Sequence, residues 1–251
     1  MKNTVQDLHA HTYYSFDSVD SPERVIEAAI AGGITLLGIS DHNHGVGLAR
    51  KQACYGQGTD LKTDYGQTLL RYFDHISLLK EKYAKKIKIL RGIEIATCVG
   101  KDNYALPDNA DVSFFDYCLI EGLDKPQSIT KGDIFSFAKR CNCPTGIAHT
   151  DLFAFLEKQG IEPYRYFKKM AEQGIFWELN VNLDSSHEFK TYDYVTEFFK
   201  NKKQQDVVKK SGVKLSVGFD SHVIHEYKPS RVQTACKIIK DLDIRLAFEN
   251  L

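Results

Sequence analysis

The sequence has no long apolar run. Its hydrophobic stretches fall far short of the ~20 residues a membrane helix needs. The opening stretch, MKNTVQDLHAHT, has no apolar core of the kind a secretory signal carries. The expectation is a cytoplasmic protein with no membrane partner. There is no excess of charge of either sign, because 33 basic and 33 acidic residues cancel. That balance argues against the broad basic face used on duplex nucleic acid. It leaves room for a local positive pocket that takes a small anion. Repeats, low-complexity runs and Pro/Gly/Ser-rich linkers are also missing, so residues 1–251 read as one domain. The six cysteines, at 54, 98, 118, 141, 143 and 236, contain one CxC pair, Cys141-Asn142-Cys143. No second pair stands near it to complete a zinc knuckle. Free cysteine is readily buried, so these read as structural thiols.

What is present is alternation. Short runs rich in Ile, Val, Leu and Phe occur at 4–9, 35–40, 87–95, 115–121, 145–149, 175–180 and 214–219. Many are apolar on successive residues, as strands buried on both faces are. Helical patterns lie between them. Ser21-Pro22-Glu23 opens one, which Gly32-Gly33 stops. Leu69, Tyr72, Phe73, Ile76, Leu79 and Tyr83 form an i, i+3, i+4 stripe that faces a core. Thr130 is placed to cap a helix over 131–141, and Glu162-Pro163 begins another that ends at Gly174. Segments 191–211 and 230–242 also read as helices. Segments 43–67 and 96–114 read as long polar loops, a length common in active-site lids. Strand–helix alternation predicts an α/β fold on a parallel sheet. Seven strands predict a distorted, nearly closed TIM-like barrel. An open doubly wound sheet is disfavoured, since no glycine-rich nucleotide loop follows the first strand.

The chemistry sits where predicted strands end. His9 and His11 end the first strand two residues apart, so both face one side. Ser40-Asp41-His42-Asn43-His44 ends the second, Gly92-Ile93-Glu94 ends the third, and Ala148-His149-Thr150-Asp151 ends the fifth. Gly218-Phe219-Asp220-Ser221-His222 ends the seventh and repeats the i, i+2 spacing. Strand C-terminal ends of a parallel barrel converge on one face, where active sites form. Five of the nine histidines fall there. Imidazole mixed with carboxylate suits Zn, Mn or Fe. Glu94 can bridge two ions and offset their repulsion. Glu178 ends the sixth strand at the same mouth, as a substrate contact or a support behind the ligands.

These motifs, DLHAHTYYSFDS, GISDHNHG, RGIEIA, GIAHTD and GFDSH, resemble those of the PHP (polymerase and histidinol phosphatase) family of metal-dependent phosphoesterases. They span residues 7 to 222. The resemblance implies a (β/α)7 barrel and two or three divalent ions. It implies one ion on His9, His11, Glu94 and Asp220, a second on Glu94 and His149, and a third on Asp17, His42 and His222. The family usually supplies a histidine after the fourth strand. Here Asp124 stands in its place, a carboxylate that would favour Mn or Mg. SFDS, GIEIA and ELN lean toward histidinol-phosphatase-like members, but the arginine-bearing stretch that often follows ELN there is absent.

The implied activity is hydrolysis of a small phosphomonoester by a metal-activated hydroxide at a di- or trinuclear site, with Asp220 and His222 in the catalytic set. Arg50, Lys51, Lys228 and Arg231 are candidate phosphate partners, although such charges are usually solvated. His44 and His225 are candidate general acids beside the motifs. Asp7 and Asp41 are expected to orient imidazoles by accepting a ring N–H. His75 and His187 lie off the strand ends. The alternative classes are an amidohydrolase-like hydrolase and a non-catalytic PHP module. The first usually carries a catalytic lysine after a middle strand, and none stands there. The second is expected to have lost ligands, and here nearly every ligand position is filled.

Overall fold

Runs that are apolar on both faces become strands of one parallel sheet, and the amphipathic segments between them cover its outside. The computed structural model describes residues 4–43, 46, 61–98, 106, 110–182 and 193–251, with backbone alone over 61–67. The strands are β1 (Gln6–Asp7), β2 (Leu36–Ile39), β3 (Lys88–Ala96), β4 (Tyr117–Glu121), β5 (Thr145–Ile147), β6 (Phe176–Asn180) and β7 (Leu215–Gly218). They pair in chain order, every pair parallel. The sheet curls until its two edges meet. Leu8 N donates to Val217 O at 2.8 Å, and Ala10 bridges Ser221. The result is the nearly closed seven-stranded TIM-like barrel expected from the sequence.

Eight α-helices are described: α1 (Pro22–Ala31), α2 (Leu61–Tyr83), α3 (Ile134–Cys141), α4 (Leu152–Lys158), α5 (Pro163–Glu172), α6 (Asp193–Lys200), α7 (Lys202–Ser211) and α8 (Pro229–Asp241). Ser21 caps α1 as expected, accepting from Arg24 N. Other boundaries differ from the sequence reading. Asp133, not Thr130, caps α3, because its carboxylate reaches the amides of Phe135 and Ser136. The continuous helix expected over 191–211 breaks at Asn201, whose side chain caps α7. The polar stretch 43–67 gives up its last turns to α2, which starts at Leu61. The short helix α4, capped by Asp151, was not anticipated. Among the described residues, no helix is long and apolar enough to cross a membrane.

Two apolar layers follow from strand alternation. The larger lies between strands and helices and includes Ile93, Ile95, Cys118, Ile120, Trp177 and Leu179. The smaller, with Leu36, Leu90, Tyr117, Leu119 and Phe176, fills the barrel. Tyr117 reaches across it and donates to Leu8 O at 2.6 Å. Gly38 and Gly92 make room for that ring, since a Cβ at either position would overlap it. The lower barrel is therefore plugged, and polar inward positions are left for its upper end.

Outside the barrel, Arg91 ties β3 to the residue before β4. Its guanidinium forks onto Asp116 at 2.6 and 3.0 Å and lies over Phe73. Lys80 adds a contact at 2.9 Å. Partial burial pushes the Asp116 carboxyl up, but Arg91 and Lys80 outweigh it and hold it at about 2. A depressed carboxylate stabilises the fold above its unfolded value and loses that contribution as pH falls through its folded value. Asp116→Asn is expected to cost roughly 2 kcal/mol near neutrality. It should also flatten the fall in melting temperature between about pH 4 and pH 2. A thermal melt series across that window checks this, and parallel curves for both proteins would refute it.

Candidate metal centre

Polar side chains gather where the barrel strands give way to loops. His9 and His11 are both fully buried, with Nε2 atoms 3.0 Å apart. His9 Nδ1 lies 2.8 Å from Glu178 Oε1, and His11 Nδ1 lies 2.9 Å from Ser15 Oγ. Ser15 spends its own proton on Asp41 Oδ1 at 2.8 Å, so it accepts from His11. Each ring therefore donates through Nδ1 and turns its Nε2 lone pair toward the other ring. Two facing lone pairs need a cation or a proton between them. Burial pulls His9 down, but the charges of Glu94, Glu178 and Asp220 outweigh it and raise it well above the usual range. Burial, with His222 and His42 nearby, pushes His11 down to about 3. A proton on His9 can thus satisfy the pair, as a divalent ion would.

Glu94 stands at the centre. Its Oε2 is 2.9 Å from His42 Nδ1 and 3.2 Å from His9 Nε2, and its Oε1 is 3.0 Å from His149 Nε2. Asp220 Oδ1 lies 3.0 Å from His11 Nε2 and 3.5 Å from His9 Nε2. Asp17 Oδ2 lies 3.5 Å from His42 Nε2 and 3.4 Å from His222 Nε2. Among the described residues, four interlocking donor groups result: His11–His42–His222, His9–His11–Asp220, His9–Glu94–His149 and His42–Glu94–Glu121. Burial disfavours the Glu94 charge, yet His9 and His42 hold its carboxyl well below the ordinary range.

The donor set fits divalent ions. Glu94 Oε2 and Asp17 Oδ1 are buried without a hydrogen bond of good geometry, although imidazoles surround them. Buried polar atoms are normally satisfied, so carboxylate oxygens left in this state beside imidazoles read as ligands. The backbone agrees. His149 and Asp220 have φ of 22° and 57°, a region non-glycine residues seldom occupy. Such strain persists where surrounding structure over-determines it, often at functional sites.

The supporting shell is specific. Glu178, fully buried, accepts from His149 N at 2.7 Å as well as from His9. It thereby fixes two ligand residues at once, as partners behind metal-bound histidines do. Asp41 contacts no imidazole directly. It accepts from Thr12 N, Thr12 Oγ1 and Ser15 N, and reaches His11 through Ser15. Asp7 likewise accepts from the His9 and Phe219 amides and the Tyr227 hydroxyl rather than from a ring. Burial pushes its carboxyl up to about 6.

Other sequence candidates fall elsewhere. Asp124 joins none of the four groups; its side chain is 40% exposed and lies 3.7 Å from Lys125 Nζ. Glu121, three residues earlier, takes a place beside His42 and Glu94, and burial plus the Glu94 charge push it up. Lys228 is the cap residue of α8. Arg231 lines a cavity of about 260 Å³ with Val181, Val195 and Phe199, which none of the clustered groups lines. His225 is exposed, and His75 pairs with Tyr14 Oη. Arg50, Lys51, His44 and His187 lie outside the described residues. Ser15, Tyr227 and Glu121 were missed by motif reading.

The sequence profile of the PHP domain matches residues 7–243. No curated protein sequence matches the chain. A histidinol phosphate phosphatase from Lactococcus lactis subsp. lactis Il1403, solved with zinc, L-histidinol and phosphate, superposes with a TM-score of 0.60. That likeness is at 19% identity and covers 97% of this chain and 96% of the other. A putative histidinol phosphatase from Listeria monocytogenes is similar at a TM-score of 0.49 and 14% identity, covering 88% and 96%.

Proposed function

The chain belongs to the PHP domain family, and from that premise we propose that it is a metal-dependent phosphatase acting on a small phosphomonoester. The observation that carries this reading is the convergence of five imidazoles with Asp17, Glu94 and Asp220 at one end of the barrel. The residues that would hold ions are His9, His11, Glu94 and Asp220 for one, Glu94 and His149 for a second, and Asp17, His42 and His222 for a third. When bound, such ions lower the pKa of water and offset charge on phosphoryl oxygens.

The chain's own part is to hold and orient. Glu178 and Ser15 fix the tautomers of His9 and His11, so that both Nε2 atoms face the centre. Glu94 links the first ligand set to His149. Asp220, 7% exposed, is set among the imidazoles of His9, His11 and His222. Arg50, which follows the β2 ligands in sequence, is the proposed phosphate contact. Support for the substrate class comes from the Lactococcus lactis protein of similar fold, which holds zinc, L-histidinol and phosphate. Histidinol phosphate is accordingly one of the first compounds to try.

The test is phosphate release across a panel of phosphorylated metabolites, including histidinol phosphate and p-nitrophenyl phosphate. Zn, Mn, Fe or Mg is added in turn. Metal analysis is expected to find two or three ions per chain, and turnover should vanish with chelator and return with metal. A folded, metal-loaded protein that releases phosphate from none of the panel would overturn the proposal.

A further inference from the structure

Glu121 is a carboxylate beside His42 and Glu94 that the proposed ligand sets leave unused. It ends β4 and pairs with Ala96 of β3, two residues beyond Glu94. Strand alternation places it on the same face as Tyr117 and Leu119, which fill the barrel. Its backbone is pinned, since Thr97 Oγ1 donates to Glu121 O at 2.6 Å. Gly122 follows with φ of 73° and turns the chain away. Asp124 therefore sits beyond that turn, beside Lys125.

Glu121 Oε1 lies 3.8 Å from His42 Nδ1. That is too long for a hydrogen bond. The donor atoms of His42, Glu94 and Glu121 nevertheless lie within 4.8 Å of one another, a spacing at which the two carboxylates can meet on one ion. The third corner, Glu94 Oε2, is buried and lies 2.9 Å from His42 Nδ1, within the same group of donor atoms. Two carboxylates this close repel unless a cation lies between them.

We propose that Glu121, and not Asp124, is the fourth-strand ligand of the cluster, on an ion it shares with Glu94. The inference rests on the metal-dependent reading above. An added carboxylate makes that position richer in hard oxygen donors and favours Mn(II) or Mg(II) over Zn(II). It also lowers the positive charge left for the substrate phosphate.

The experiment compares wild type, Glu121→Gln, Glu121→His and Asp124→Asn. Each protein is equilibrated with excess Mn(II), desalted and assayed for metal, then titrated calorimetrically with Mn(II) and with Zn(II). Glu121→Gln is expected to lose one Mn per chain, or to hold it at least ~10-fold more weakly. Asp124→Asn should match wild type. Glu121→His should restore the ion count and move preference toward Zn(II). If Glu121→Gln does not fold, the Zn(II) shift in Glu121→His decides alone. An unchanged Mn count and affinity in Glu121→Gln, loss of an ion in Asp124→Asn, or unchanged preference in Glu121→His would overturn the assignment. Wild type binding no divalent ion would instead overturn the metal reading itself.

Discussion

Asp220→Asn is expected to abolish phosphatase turnover while leaving the barrel folded. The substitution keeps the shape of the side chain and removes its charge. Asparagine, like aspartate, tolerates the left-handed backbone required here at φ 57°. Alanine would add backbone strain and blur the result. The neighbours set the size of the effect. Asp220 Oδ1 is 3.0 Å from His11 Nε2 and 3.5 Å from both His9 Nε2 and His222 Nδ1. Burial opposes ionisation, but the charge on His9 and the bond to His11 hold the carboxyl well below its usual range. It is thus an anion set among imidazoles, which is what an ion bound by those imidazoles needs. Losing a group that merely supports a metal ligand costs about 10–100-fold. Losing a ligand carboxylate should exceed that, so turnover of p-nitrophenyl phosphate is expected to fall by more than roughly 100-fold. Mn-dependent stabilisation should shrink as well, since a ligand stabilises only in proportion to its binding. Steady-state assays and melts with and without Mn check both. Unchanged turnover would remove Asp220 from the site.

The fold and most of the centre were legible because both are written in strands. A parallel strand buried on both faces announces itself as an apolar run, and its ligand stands at the C-terminal end. Hence His9, His11, His42, Glu94, His149 and Asp220 could be assembled before any coordinates. Glu121 was missed for a physical reason. It follows Tyr117-Cys118-Leu119-Ile120 as the last residue of a strand, with no histidine beside it to draw attention. Parity carried the signal: Tyr117, Leu119 and Glu121 share a face, as Leu90, Gly92 and Glu94 do. Asp124 was favoured by its position in a motif, and the turn at Gly122 removes it from the barrel mouth. Helix caps were the weaker guide. Thr130, Asp133 and Asn201 are all competent caps, and only the three-dimensional path decides which amides each one meets. Glu178 lies within β6 rather than at its end, and its partners could not be named, because His9 and His149 are remote from it in sequence.

The structure gives Glu178 its largest consequence through a residue with no side chain. A Cβ on Gly218 would overlap Glu178 Oε1 and stand 2.5 Å from His9 Cβ. Neither neighbour has room to retreat. Both are fully buried, and Glu178 is held from one side by His9 Nδ1 and from the other by His149 N. Gly218→Ala therefore forces the carboxylate off at least one of them. Overpacking a core costs about 1–3 kcal/mol, and parting a buried charged pair costs about 3–5 kcal/mol. Taking the lower part of that range, the loss is about 3 kcal/mol or more. For a chain of this size that lowers the melting temperature by roughly 10 °C. Gly174→Ala serves as control. That glycine, unlike Gly218, has positive φ, at 70°, and it faces open space, so only backbone strain of about 1 kcal/mol applies. The double variant Gly218→Ala/Glu178→Asp separates crowding from chemistry. Shortening the acid by one methylene relieves the overlap and pulls the carboxylate away from His9. Thermal stability should partly recover, whereas Mn affinity should stay at least ~10-fold below wild type. A Gly218→Ala protein that melts with wild type and binds Mn equally well would show that the Glu178–His9 contact is not what fixes the ligand geometry.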